Sequence, residues 1–128
     1  MYSSQIASWV LIFIFAVMFI FQMLLAFGAP FGRLAWGGEY KILPKKLRVG
    51  SFISAIIFIL AEIVVMEKVN KIHVINQSIV AVIFNWFLVV LFAFSTIVNI
   101  LSKSKWEKRI MTPIAFIIFL LCIIIAIN

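Results

Sequence analysis

The sequence predicts an all-α membrane protein, a bundle of four transmembrane helices with both termini outside the cell. Three observations predict this class: an apolar composition, long uncharged segments, and basic residues confined to the connections. Of 128 residues, 66% are hydrophobic and 12% are charged, and the mean hydropathy is +1.28. An ordinary globular domain is about 45–50% apolar and about 25% charged. A soluble chain of this size could not bury so much apolar surface, so the bilayer is the expected solvent.

The four apolar segments are expected at 6–27, 47–67, 78–101 and 110–127. Each can cross a hydrocarbon core of about 30 Å at about 1.5 Å per residue, the last if it stands nearly upright. Pro44 suits the start of the second helix, and we expect Pro113 in the first turn of the fourth, where proline is tolerated. We expect the first segment to be a helix of the mature protein and not a cleaved signal peptide. No positive charge precedes it, and it exceeds the usual apolar length of a signal peptide.

The orientation follows from the positions of lysine and arginine. The first connection and its exit carry five, the second connection carries two and the third carries four. The positive-inside rule therefore places the first and third connections in the cytoplasm of a bacterial plasma membrane, as parts of a multi-pass protein. Basic residues placed this way indicate topology signals and contact with anionic lipid, and they do not indicate nucleic-acid binding.

A glycine-rich loop at 28–46 is the longest break between apolar segments. All five glycines of the chain lie between residues 28 and 50, with two of its three prolines. Glycine is favoured where φ is positive or where a ligand approaches the backbone closely, so this loop has a specified shape. It is either a tight turn that only spaces two helices, or a surface that holds an anionic group such as a lipid phosphate. The candidate binding residues are Gly28, Gly32, Arg33, Trp36, Gly37, Gly38 and Arg48.

Polar side chains inside the apolar segments are further candidates. Glu62 is the only acid inside an apolar run, IIFILAEIVVM at 56–66, and Asn85 could face it from the third helix. Other polar groups share a depth near the cytoplasmic ends of their helices. They either form hydrogen bonds between helices or line a pocket under the loop; they are Gln22, Ser54, Ser95, Thr96, Asn99 and Thr112.

No motif predicts a reaction, a metal or a cofactor. Cys122 is the only cysteine, the chain contains no aspartate, and His73 has no second ligand at metal-binding spacing. Nothing specifies a general acid or base, so an enzymatic role stays open without a candidate catalytic residue.

Two stretches, GAPFGRLAWGGEYKILPKKLRVGS at 28–51 and NILSKSKWEKRIMTPIA at 99–115, resemble a family of small bacterial integral membrane proteins. That family has four helices and an unknown function, and the order of elements is similar over the whole chain. The resemblance implies the fold and the membrane location, and it implies no activity. The matching positions are Gly28, Pro30, Gly32, Gly37, Gly38, Leu43, Pro44, Leu47, Arg48, Asn99, Ser102, Glu107 and Pro113.

Three functions remain open at this point. The first is a binding or accessory module that uses the cytoplasmic loop for a lipid headgroup or a membrane partner. The second is a small oligomeric transporter or channel that uses Glu62 and Asn85. The third is an intramembrane enzyme that acts on lipid. The expected partners are the lipid bilayer, including anionic lipid, and either a second copy of the chain or another membrane protein.

Overall fold

The computed structural model describes residues 2–68 and 78–127, with side chains for 5–66 and 79–127. These residues form four helices: α1 (Tyr2–Ala26), α2 (Lys45–Lys68), α3 (Ser78–Ile100) and α4 (Lys105–Ala126). Two short 3-10 turns, Gly32–Leu34 and Trp36–Gly38, lie in the loop between α1 and α2. The described residues contain no strand. The expected second connection, with Lys71 and His73, lies outside them.

Each helix is long and apolar enough to cross a membrane, over Gln5–Ala26, Lys45–Met66, Ile79–Ile100 and Lys105–Ala126. Large apolar side chains point outward along these spans, as Phe13 and Val90 do with exposures of 70% and 67%. Such surface is favourable in hydrocarbon, and helices satisfy their own backbone groups there. The predicted four-helix membrane fold is confirmed.

The bundle consists of two helix pairs. α1 packs along α2 and α3 packs along α4, and contacts between α1 and α4 join the two pairs. α2 and α3 meet only sparsely. At the centre, the rings of Phe15, Phe58 and Phe92 form a triangle with centroids 5.8–6.2 Å apart. Tilted aromatic rings at this spacing pack favourably, so this triangle joins α1, α2 and α3.

α4 begins at Lys105, ahead of the apolar segment that we expected at 110–127. The Ser104 hydroxyl accepts a hydrogen bond from the Glu107 N–H at 3.3 Å and so caps the helix within the basic connection. Our expectation for Pro113 was therefore wrong, because this residue lies inside α4 and not in its first turn. Its missing N–H removes one bond of the helical ladder there.

Candidate functional site

The glycine-rich loop starts from a well-defined helix end. The Gly28 N–H donates to the Leu25 carbonyl at 3.0 Å, and the Ala29 N–H donates to the Leu24 carbonyl at 2.9 Å. This pair of bonds is the Schellman motif, which places its glycine in the left-handed region. Gly28 has a φ of 92° and fits that requirement.

The base of the loop is closed by a contact between its two arms. The Gly32 N–H donates to the Lys41 carbonyl at 2.8 Å. A Cβ atom on Gly32 would overlap the Tyr40 carbonyl oxygen, so only glycine allows this approach.

Trp36 anchors the tip of the loop on α2. Its indole N–H donates to the Ser51 hydroxyl at 3.0 Å, and its ring lies against Gly50, where a Cβ atom would come within 2.8 Å. Trp36 has a φ of 53°, a left-handed conformation that is uncommon for a bulky residue. The surrounding contacts hold the backbone in this conformation, as residues of this kind require.

The loop is also bound to the start of α4. The Ser104 hydroxyl donates to the Arg33 carbonyl at 2.7 Å, and the Gly37 N–H donates to the Glu107 carboxylate at a long 3.4 Å. The second carboxylate oxygen of Glu107 accepts a hydrogen bond from the Ser102 hydroxyl. Glu107 is only 5% exposed, and these two donors partly satisfy its buried carboxylate.

Below the loop lies a cavity of about 430 Å³, which we call the inner cavity. Its floor includes Phe58 and Phe92 of the aromatic triangle, and the loop residues Leu34 to Gly37 form its roof. All four helices contribute to its wall, which is mostly apolar. Its polar helical side chains are Gln22, Ser54, Ser95, Asn99 and Glu107.

Several hydrogen-bonding groups on the inner cavity wall are already engaged. The Asn99 amide donates to the Ser95 hydroxyl at 3.4 Å, and the Trp36 N–H is bound to Ser51. The amide oxygen of Gln22, in contrast, is buried without a hydrogen-bond partner. An unsatisfied buried acceptor costs about 1–3 kcal/mol, so a donor that reached this oxygen would be favourable.

A second, wider cavity of about 1040 Å³ lies between the loop and the start of α4, and we call it the basic recess. Three cations line it, Arg33, Lys103 and Lys105, with Glu39 on the same wall. Gly37, Val98 and Glu107 line both the basic recess and the inner cavity. A basic cavity and an apolar cavity therefore adjoin at these three residues.

The structure brings part of the predicted binding set together. Gln22, Trp36, Gly37 and Asn99 line the inner cavity, and Arg33, Gly37 and Gly38 line the basic recess. Of the shared polar layer, Ser54 and Ser95 also line the inner cavity. Thr96 and Thr112 do not, and Thr96 donates to the Phe92 carbonyl within its own helix at 2.7 Å.

The other predicted residues line neither cavity. Gly32 closes the base of the loop. Arg48 lies against Gly28, where a Cβ atom would overlap its guanidinium group. That position is the C-terminal end of α1, where the helix dipole favours a cation. The role that this geometry gives Arg48 is to stabilise the end of α1.

The two intramembrane candidates also lie apart from the cavities. Asn85 is buried, and its amide donates to the Cys122 carbonyl of α4 at 3.1 Å. It holds α3 against α4 and does not donate to Glu62. Glu62 is half-buried, and one of its carboxylate oxygens has no hydrogen-bond partner.

Glu107 and Ser104 are central to the site and were not among the candidate binding residues. The sequence pattern Ser-Lys-Trp-Glu at 104–107 is the capping-box pattern that predicts a helix start. In this structure the glutamate side chain turns instead toward Ser102 and the loop. The pattern could have placed the start of α4, while the contact with Gly37 depends on the folded loop.

These features define the class of this protein, a small multi-pass membrane protein with an apolar exterior and a cavity under a structured loop. No protein-family model, curated protein or solved structure matches the chain. The resemblance of 28–51 and 99–115 to a bacterial membrane family stays a prediction. Within the described ranges, no three His, Cys, Asp or Glu side chains are grouped so that they could hold a metal ion.

Proposed function

We propose that this protein is a binding module for an anionic membrane lipid. The headgroup phosphate lies in the basic recess and the hydrocarbon part lies in the inner cavity. The observation that carries this proposal is that the two spaces adjoin and share the wall residues Gly37, Val98 and Glu107. A ligand that fills both must have a negative end and an apolar end, and membrane lipids have this composition.

Electrostatics supports the placement of the phosphate. Arg33, Lys103 and Lys105 line the recess, and an arginine can bind phosphate oxygens with two parallel hydrogen bonds. The positive-inside rule predicts that the loop and the start of α4 face the cytoplasm, where anionic lipids attract basic residues. The proposed location is therefore the inner leaflet of a bacterial plasma membrane.

The test is a lipid titration of the purified full-length protein in a neutral detergent, followed by native mass spectrometry. Phosphatidylglycerol should bind more tightly than phosphatidylcholine. The double variant Arg33→Gln/Lys105→Gln should lose roughly thirtyfold in affinity, because each basic group near a lipid surface contributes about 1 kcal/mol. The matched control Lys41→Gln/Lys45→Gln removes the same charge from exposed positions that line neither cavity.

Two results would overturn the proposal. One is an equal loss in the two double variants, which would show a general charge effect without a site. The other is binding of inorganic phosphate as tight as that of the lipid, which would show an anion site with no role for the inner cavity.

A further inference from the structure

We infer that the preferred ligand is a single-chain phospholipid, such as lysophosphatidylglycerol. Its backbone glycerol has a free hydroxyl between the acyl ester and the phosphate ester. This inference rests on the proposed function and names the ligand class of the same site. It follows from the distribution of hydrogen-bond acceptors and cations over the two cavities.

The inner cavity excludes the phosphate and favours a donor. None of its lining residues is Lys, Arg or His, and its one charged residue is Glu107. A phosphate placed there would face a carboxylate without a compensating cation, which is strongly unfavourable in an apolar setting. A hydroxyl, in contrast, can donate to a carboxylate or to the unpaired amide oxygen of Gln22.

The junction between the cavities matches the chemistry of a lysophospholipid. Its free hydroxyl lies on the carbon next to the one that carries the phosphate ester, between the acyl chain and the phosphate. Glu107 lies at the junction and has spare acceptor capacity, since its contact with the Gly37 N–H is long at 3.4 Å. In a diacyl lipid the oxygen on this carbon is esterified. It can then accept a hydrogen bond but cannot donate one.

The volume of the inner cavity agrees with one chain. At about 430 Å³ it is near the lower end of the range of about 300–1,000 Å³ for small-molecule sites. The rings of Phe58 and Phe92, whose centroids are 5.9 Å apart, line its floor. A second acyl chain would have to lie outside this cavity, in the surrounding bilayer.

The test compares three lipids on the full-length protein in a neutral detergent: palmitoyl lysophosphatidylglycerol, its 2-deoxy analogue and dipalmitoyl phosphatidylglycerol. The lysolipid should bind at least about tenfold more tightly than either of the others, because a hydrogen bond to a charged group contributes about 1.5–3 kcal/mol. Equal affinities of the lysolipid and its deoxy analogue would overturn the inference, as would tighter binding of the diacyl lipid. In both cases the proposed function would still stand if binding depended on Arg33 and Lys105.

Variants of the protein test the two acceptors, Gln22 and Glu107, separately from the number of acyl chains. Gln22→Leu should reduce the preference for the lysolipid over its deoxy analogue, while Asn85→Leu should leave it unchanged, since Asn85 lines neither cavity. An unchanged preference in a folded Gln22→Leu protein would remove Gln22 from the inference. An unchanged preference in a folded Gln22→Leu/Glu107→Ala protein, which lacks both acceptors, would overturn the inference. Binding of no anionic lipid at all would overturn both this inference and the proposed function.

Discussion

The indole N–H of Trp36 donates to the hydroxyl of Ser51 at 3.0 Å and so ties the glycine-rich loop to the second turn of α2. Trp36→Phe should lower the free energy of unfolding by at least about 1 kcal/mol, because it removes the hydrogen bond together with indole ring atoms that lie against Gly50. Denaturant unfolding in detergent micelles measures this change. Trp86→Phe, on an exposed part of α3, is the matched control and should have little effect.

Ser51→Ala should cost a similar amount, since Ser51 is fully buried and its loss leaves the indole N–H unpaired. The double variant should then be about as stable as Trp36→Phe alone, because that variant has already removed the bond. Additive effects would show that the two side chains act independently.

Gly37 and Gly38 form a matched pair for the shape of the loop. Both have positive φ, 81° and 71°, so alanine at either site should cost about 1–2 kcal/mol of backbone strain. A Cβ atom on Gly37 would meet nothing within 4 Å, whereas on Gly38 it would overlap the Ser104 side chain. Gly38→Ala should therefore reduce the melting temperature more than Gly37→Ala; an equal reduction would contradict the contact between the loop and α4.

Glu107 is a buried acceptor for two donors. Two variants can separate the contribution of its acceptor oxygens to stability from that of its charge. Glu107→Ala leaves the Ser102 hydroxyl and the Gly37 N–H without their partner and should cost about 1–3 kcal/mol of stability. Glu107→Gln keeps an acceptor oxygen and should cost less. Glu39→Ala, an exposed acid of the loop, is the control and should be close to neutral in the same thermal unfolding measurement.

Glu62→Gln distinguishes the proposed binding module from the two alternatives. Glu62 lines neither cavity, so its neutral variant should bind anionic lipid with unchanged affinity. A transporter or channel that uses Glu62 would instead lose ion flux in proteoliposomes, and an enzyme acting on lipid would lose turnover. Loss of lipid binding in Glu62→Gln would show that the site extends beyond the two cavities.

The predicted orientation can be measured by cysteine accessibility. Cys122 is the only cysteine of the chain, so Cys122→Ala gives a background free of thiols. In intact cells, Lys103→Cys and Glu39→Cys should resist a membrane-impermeant maleimide, because positive-inside topology places them in the cytoplasm. His73→Cys, in the opposite connection, should react. The reverse pattern would place the basic recess on the outer face.

Hydrophobicity alone was sufficient to predict four spanning helices, because uncharged segments of this length have no other stable environment. Hydrophobicity did not predict the start of α4, where the charges and the helix cap indicate different structures. The basic run at 103–109 indicated a connection, while the Ser104 hydroxyl could begin a helix inside it. The hydrogen bond from the Glu107 N–H to the Ser104 hydroxyl caps the helix within this run.

The candidate site was likewise predicted only in part. Depth along the helices correctly grouped Gln22 and Asn99, since both line the inner cavity. Depth gives no information about rotation around the helix axis, so it did not separate them from Thr96, which bonds within its own helix. Arg48 was grouped with the anion-binding residues by charge, and only the folded loop shows that it lies against Gly28.

The contacts between the loop and α4 set an order for biosynthesis. Gly37 and Arg33 bind partners that follow them in the chain by 70 and 71 positions. During translation, which proceeds from the N-terminus at about 5–20 residues per second, α1 and α2 enter the membrane before Ser104 and Glu107 exist. The first hairpin is thus made seconds before its own turn can mature, and α4 completes the connection between α1 and α2.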